Sequence, residues 1–241
     1  MMEKLKPKGP SVRQIFDFLT SLTFFSPEKE REESPVTLQI GALPKGEKVP
    51  ILAVIVGENA NGKSFLRRVM KDSYRRLETE LIDISMEGRR RVAYNIGLTF
   101  VYGDEDHFST GDNATKTVTV AFSTSRNREK DHAIFWDEPD VGLSEGWAAC
   151  MGREIAEFLR EKPEKLQAVY LVTHSRPLLR ELRDLNPLFV YVGNDREFAS
   201  LDEWLEAPLP KYKSLEDLQK TGLKRFRKIA AMLNEIKKDR A

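Results

Sequence analysis

The apolar run Ile51-Leu52-Ala53-Val54-Ile55-Val56 stops at Gly57-Glu58-Asn59-Ala60-Asn61-Gly62-Lys63-Ser64. Phe65-Leu66-Arg67-Arg68-Val69-Met70 follows, with apolar residues back at helical spacing. No other feature of the chain restricts its fold so much. The eight residues from Gly57 fit G-x-x-x-x-G-K-[ST], a pattern with physical meaning only between a strand and a helix. There the glycines let the backbone wrap a phosphate, and amide N–H groups at the helix N-terminus point at its charge. In that setting Lys63 reaches the β- and γ-phosphates of a nucleotide, and the Ser64 hydroxyl reaches Mg²⁺. The competing reading is a Gly/Asn-rich turn with no ligand.

The rest of the chain alternates. Apolar runs at residues 36–40, 51–56, 93–102, 133–137, 168–173 and 188–192 read as strands, several of them apolar on nearly every residue, as in strands covered on both faces. Residues 63–84, 144–159 and 175–185 carry helical patterns. Val12, Ile15, Phe16, Phe18 and Leu19 fit a short amphipathic helix ahead of a charged loop at residues 26–34. The alternation predicts an α/β fold, a mainly parallel P-loop sheet with helices on both faces. Ligands in such sheets bind at the carboxyl ends of strands. Residues 117–122 stay open. Their β-branched run suits a strand, whereas the family resemblance given below requires a helix.

Two strand ends carry polar chemistry. Ala133-Ile134-Phe135-Trp136 runs into Asp137 and Glu138, and Pro139 stops the strand there. Beside a P-loop this reads as a Walker B element. Asp137 holds Mg²⁺ through water, and Glu138 orients and deprotonates the attacking water. Taken alone, the same residues are a strand ending in a charged turn. Leu171-Val172-Thr173 ends in His174, and that strand is expected beside the Walker B strand. His174 then reaches the γ-phosphate or the attacking water; otherwise it is an ordinary surface histidine.

Composition narrows the setting. Basic residues number 39 and acidic residues 38, so no global field favours nucleic acid or an acidic membrane. Cys150 is the only cysteine, which excludes an internal disulfide and suits a reducing compartment. It reads as a small buried apolar residue. No apolar run is long enough to span a bilayer, and residues 1–8 lack the apolar stretch of a secretory signal. A cytoplasmic protein with no membrane partner is expected.

Together these residues resemble the ABC-class ATPases. Residues 57–64 match Walker A, and residues 134–138 match Walker B with its catalytic glutamate. Residues 137–144 look like Walker B running into the D-loop, and His174 looks like the switch histidine. Phe108-Ser109-Thr110-Gly111-Asp112 resembles a degenerate signature motif. The resemblance implies ATP and Mg²⁺ as ligands and a homodimer formed head to tail on ATP. In it Ser109 and Gly111 of one subunit donate to the γ-phosphate held by the other. The competing reading of residues 109–113 is a solvated turn. The interval between the P-loop and Ser109 is short and lacks glutamine, which implies a reduced lid subdomain and no transporter role. Thr110 and Ser144 depart from the residues usual at their positions. The combination looks closest to small stand-alone members related to the RecF and OLD groups, of the type found in phages and mobile elements. Phe24, Phe25 and Tyr102 are candidates for adenine stacking, with core packing as the alternative.

Two basic segments remain. Arg89-Arg90-Arg91 reads as a solvated turn. From residue 215 the chain repeats Leu215, Leu218, Phe226, Ile229, Leu233 and Ile236 at helical spacing, among Lys220, Lys224, Arg225, Arg227, Lys228, Lys237, Lys238 and Arg240. This basic amphipathic helix either docks on the domain, meets a protein partner or follows a nucleic-acid backbone. The expected organisation is an ATPase domain at residues 1–210, with the N-terminal helix and charged loop in residues 1–35, followed by a basic helix at 211–241. The expected activity is Mg-dependent ATP hydrolysis that drives or switches a partner protein or nucleic-acid complex. A nucleotide-gated interaction module with negligible turnover is the main alternative. A small-molecule P-loop kinase fits less well, because an acid pair followed by a His-ended strand suits water activation.

Overall fold

The computed structural model describes residues 9–22, 24–25, 35–42, 50–85, 108–211 and 214–238. The strand expected at 93–102, the charged loop at 26–34, the Arg89-Arg90-Arg91 turn and the reduced lid lie outside these residues. Six strands form one sheet: β1 (Leu38–Ile40), β2 (Leu52–Val56), β3 (Glu80–Ile84), β4 (His132–Asp137), β5 (Leu166–Val172) and β6 (Leu188–Val192), in the order β1-β6-β2-β5-β4-β3. Every neighbouring pair is parallel except β1 with β6, an antiparallel edge. The expected mainly parallel α/β sheet is therefore present.

Side chains alternate across a strand, so the sheet divides its apolar residues between two cores. Val54, Val56, Ile134, Trp136, Val169 and Leu171 face one side. They pack against helices α3 (Thr110–Arg126), α4 (Glu145–Glu161), α5 (Arg176–Glu181) and α6 (Leu201–Glu206). Ala53, Ile55, Phe135, Tyr170 and Val172 face the other, against α1 (Val12–Ser21) and α2 (Lys63–Arg76). Helix α7 (Leu215–Lys238) closes the described chain.

Three expectations change. The helical pattern at 63–84 divides: α2 ends at Arg76, Glu78 takes a left-handed conformation at φ 54°, and Glu80–Ile84 becomes the edge strand β3. Residues 117–122 lie inside α3, in spite of their β-branched run. Thr117, Val118, Ala121 and Phe122 recur at helical spacing and are all buried, and Thr117 Oγ1 donates back to Asn113 O at 2.7 Å. Burial of that face outweighs a propensity difference of about 1 kcal/mol. Cys150, expected to be buried, is half-buried on α4.

Candidate functional site

The loop between β2 and α2 is built by close approach. A Cβ on Gly57, at φ +150°, would stand 2.2 Å from Val192 O at the end of β6. A Cβ on Gly62, at φ +103°, would stand 2.6 Å from Val36 Cγ2. Only glycine fits either place, and Gly62 serves as the left-handed N-cap of α2. Asn61 is buried and donates through Nδ2 to Asp195 Oδ1 at 2.8 Å, which fixes the loop to the segment after β6. Lys63 opens α2 and folds back over the loop, its Nζ donating to Gly57 O at 2.7 Å and Glu58 O at 3.0 Å. Burial lowers the Lys63 ammonium to about 8, against the opposing pull of Glu138 and Asp137.

Strand β5 runs between the P-loop strand and β4, so the ends of all three meet at one edge. Glu138 sits just past β4 at φ 52°, and its N–H donates to Val172 O at 2.8 Å. A non-glycine residue held there stores about 1–3 kcal/mol of strain. The bond draws Glu138 toward the end of β5, where His174 Nε2 lies 3.5 Å from Glu138 Oε1. Burial, helped by the Lys63 charge, pulls His174 down to about 4. At neutral pH it is a neutral imidazole beside a carboxyl group rather than half of an ion pair. Asp137 is pushed up to about 6 by burial, although Arg67 pulls the other way. Thr173 Oγ1 donates to Asp140 Oδ1 at 2.7 Å and accepts from Ser175 N, tying the turn after β4 to the end of β5.

These groups open onto a cavity of about 730 Å³, within the range of small-molecule sites. Of the candidate residues, Asn59, Ala60, Gly62, Lys63, Ser64, Asp137 and Glu138 line it. Gly57, Glu58 and Asn61 shape the loop from behind, and His174 approaches through Glu138. Ser109 and Gly111 are not brought to this cavity. Ser109 caps α3, its hydroxyl donating to Asp112 Oδ2 at 2.6 Å and accepting from Asp112 N. Gly111 packs on the turn after β4, where a Cβ would meet Gly142 O at 2.9 Å.

Arg67 and Arg225 also line the cavity, although the sequence did not single out either as a site residue. Arg67 lies one helical turn beyond Lys63 and is buried. It grips Asp83 on β3 through Nε and Nη2 at 2.9 and 3.1 Å, while Lys71 Nζ reaches the same carboxylate. Burial alone would raise Asp83, but the hydrogen bonds from Arg67 and Lys71 outweigh it and hold the carboxyl below its ordinary range. The spacing from Lys63 to Arg67 is the signal that could have found Arg67. Arg225 on α7 donates through Nε to Pro35 O at 2.9 Å and through Nη1 to Ala60 O and Asn61 Oδ1. In sequence it is one of several basic residues on a tail. Phe24 and Phe25, the candidates for base stacking, lie against the Phe65 ring and belong to the packing around α2; Tyr102 lies outside the described residues.

Among the described residues no cluster of His, Cys, Asp and Glu could hold a metal unaided, and no helix is long and apolar enough to cross a membrane. No protein-family model and no curated protein sequence matches the chain. Cdc6p from Pyrobaculum aerophilum is similar in structure over 79% of this chain, at 14% identity and a TM-score of 0.36. The chain matches 47% of that protein's length, and so loose a superposition carries no argument about function.

Proposed function

We propose that this protein binds ATP with Mg²⁺ at the P-loop and hydrolyses it. It acts as a small stand-alone ABC-class ATPase that pairs head to tail on ATP and thereby drives or switches a partner protein or nucleic-acid complex. One observation carries the reading: Lys63, Ser64, Asp137 and Glu138 share one cavity, with His174 at 3.5 Å from Glu138. Ser64 and Asp137 offer the hard oxygen donors that suit Mg²⁺, which binds through one or two protein oxygens plus substrate phosphates. When bound, the cation neutralises phosphate charge. Lys63 leaves the carbonyls of Gly57 and Glu58 for the β- and γ-phosphates. Glu138 accepts a proton from the attacking water, and the neutral His174 turns its single N–H toward the γ-phosphate. Within this reading residues 1–210 are the ATPase domain and residues 211–241 an added basic helix.

The dimer reading draws support from Phe108 and Trp147, which are 56% and 65% exposed beside Ser109 and on the first turn of α4. Glu138→Gln should slow phosphate release at least a hundredfold while leaving ATP bound, and should double the solution mass at saturating Mg-ATP. A variant that stays monomeric there rejects the head-to-tail pair. A nucleotide-gated module with negligible turnover is favoured by a single observation, the engagement of the Ser109 hydroxyl in its own helix cap. Steady phosphate release by the wild type, abolished in Lys63→Ala, decides against that module.

A further inference from the structure

The groups that suit phosphate occupy one side of the cavity, and helix α7 forms the other. Gly222, Arg225, Phe226, Ile229, Ala230 and Leu233 line it, and their spacing of three, four, seven, eight and eleven residues from Gly222 places them on one helical face. The helix is fastened at the loop. Arg225 bridges Pro35 O, Ala60 O and Asn61 Oδ1, and the Gly222 backbone comes so near that a Cβ there would touch Ala60 Cβ at 3.6 Å. Beyond this fastening, Phe226 faces the cavity yet is 67% exposed, and Leu233 is also exposed. The space thus has a polar end at Lys63, Ser64, Asp137 and Glu138, and an apolar end at Phe226, Ile229 and Leu233.

A ligand that fills both ends carries a polyanionic tail and a flat ring system. A nucleoside triphosphate has that form. We infer that α7 is the base-binding wall of the nucleotide site, with the base stacked on Phe226 and flanked by Ile229 and Leu233. This rests on the nucleotide-binding reading above and adds to it an element from the far end of the chain. Stacking on an aromatic ring covers the exposed Phe226 face, and Arg225 holds the ring at the P-loop. The base and the phosphates are then bound by separate parts of the chain, which makes the inference separable by experiment.

Full-length wild type, Phe226→Ala, Phe226→Trp and Lys63→Ala are titrated calorimetrically with Mg-ATP and with Mg-tripolyphosphate, which has no base. Phe226→Ala should weaken ATP about tenfold and leave tripolyphosphate within about twofold, and Phe226→Trp should restore ATP. Lys63→Ala should weaken both ligands. The inference falls if Phe226→Ala binds ATP like the wild type, or if it loses both ligands in parallel. Wild type that binds neither ligand overturns the nucleotide-binding reading, and the base wall with it. The exposure of Phe226 keeps its replacement from disturbing the core.

Discussion

Asp137 and His174 stand at the ends of the paired strands β4 and β5, and their protons pull stability in opposite directions. The native pKa of Asp137, about 6, lies above its ordinary 3.8, so the folded chain holds an extra proton between those values. Its contribution to stability is fully present below about pH 4 and is lost as pH rises through about 6. His174 is pulled below its ordinary 6.5, to about 4, so its penalty appears as pH falls from 6.5 toward 4. Between pH 4 and 6 the two slopes oppose each other and the wild type should show a shallow profile. Asp137→Asn removes the first slope. Urea unfolding of the nucleotide-free protein in a chelator should find this variant more stable at pH 7.5 by about 2 kcal/mol, after allowance for partial solvation of the site. Its stability should also rise more steeply than that of the wild type between pH 4 and 6.5. Equal or lower stability at pH 7.5 would mean that the Asp137 carboxylate is well solvated. Both residues could be read from the chain because each ends a nearly unbroken apolar strand. Their pKa shifts could not, since these come from burial, with Lys63 adding to that of His174 and Arg67 opposing that of Asp137, and only the fold brings these groups near.

Elements were legible where one signal dominated. The runs that became β2, β4, β5 and β6 are apolar on almost every residue, and a strand covered by helices on both faces needs that pattern. Strand β3 was hidden because it is an edge strand: Glu80 is exposed, only Ile84 is buried, and its run continues the helical spacing of α2 without a glycine or proline to break it. What makes β3 a strand is tertiary. It pairs in parallel with β4 from Glu80 to Ile84, and Arg67 reaches across from α2 to Asp83. Asp83→Ala should therefore cost about 3 kcal/mol in urea unfolding, because it removes the carboxylate from a buried guanidinium. Asp83→Asn should recover part of that loss by keeping hydrogen-bond acceptance. A loss below about 1 kcal/mol for the alanine variant would show that water solvates Arg67. Helix α7 gives the opposite lesson. Its helicity was plain from spacing, but its docking face was not. Arg225 looks like one basic residue among many until its guanidinium is placed on the loop carbonyls.

At the scale of the whole molecule, Ser109 and Gly111 do not line the cavity beside the P-loop, so in the proposed pair only a second copy could bring them to it. If Phe108, Trp147 and the N-terminus of α3 form the meeting face, Trp147→Glu in the Glu138→Gln background should keep the protein monomeric in saturating Mg-ATP by light scattering, with its unfolding midpoint unchanged. A dimer that persists would place the contact elsewhere. The position of β5 has a further consequence. Two strand spacings, roughly 10 Å, separate the phosphate loop from the acids of β4, and the intervening strand also carries His174. All three groups thus depend on a single central spacer. From Ala168 to Val172 that strand is at most 1% exposed, and such a strand opens to exchange only when the whole sheet does. The proposed site should stay assembled for as long as the protein is folded. Any control of it then falls to the periphery, by deciding what enters the cavity rather than by taking its floor apart.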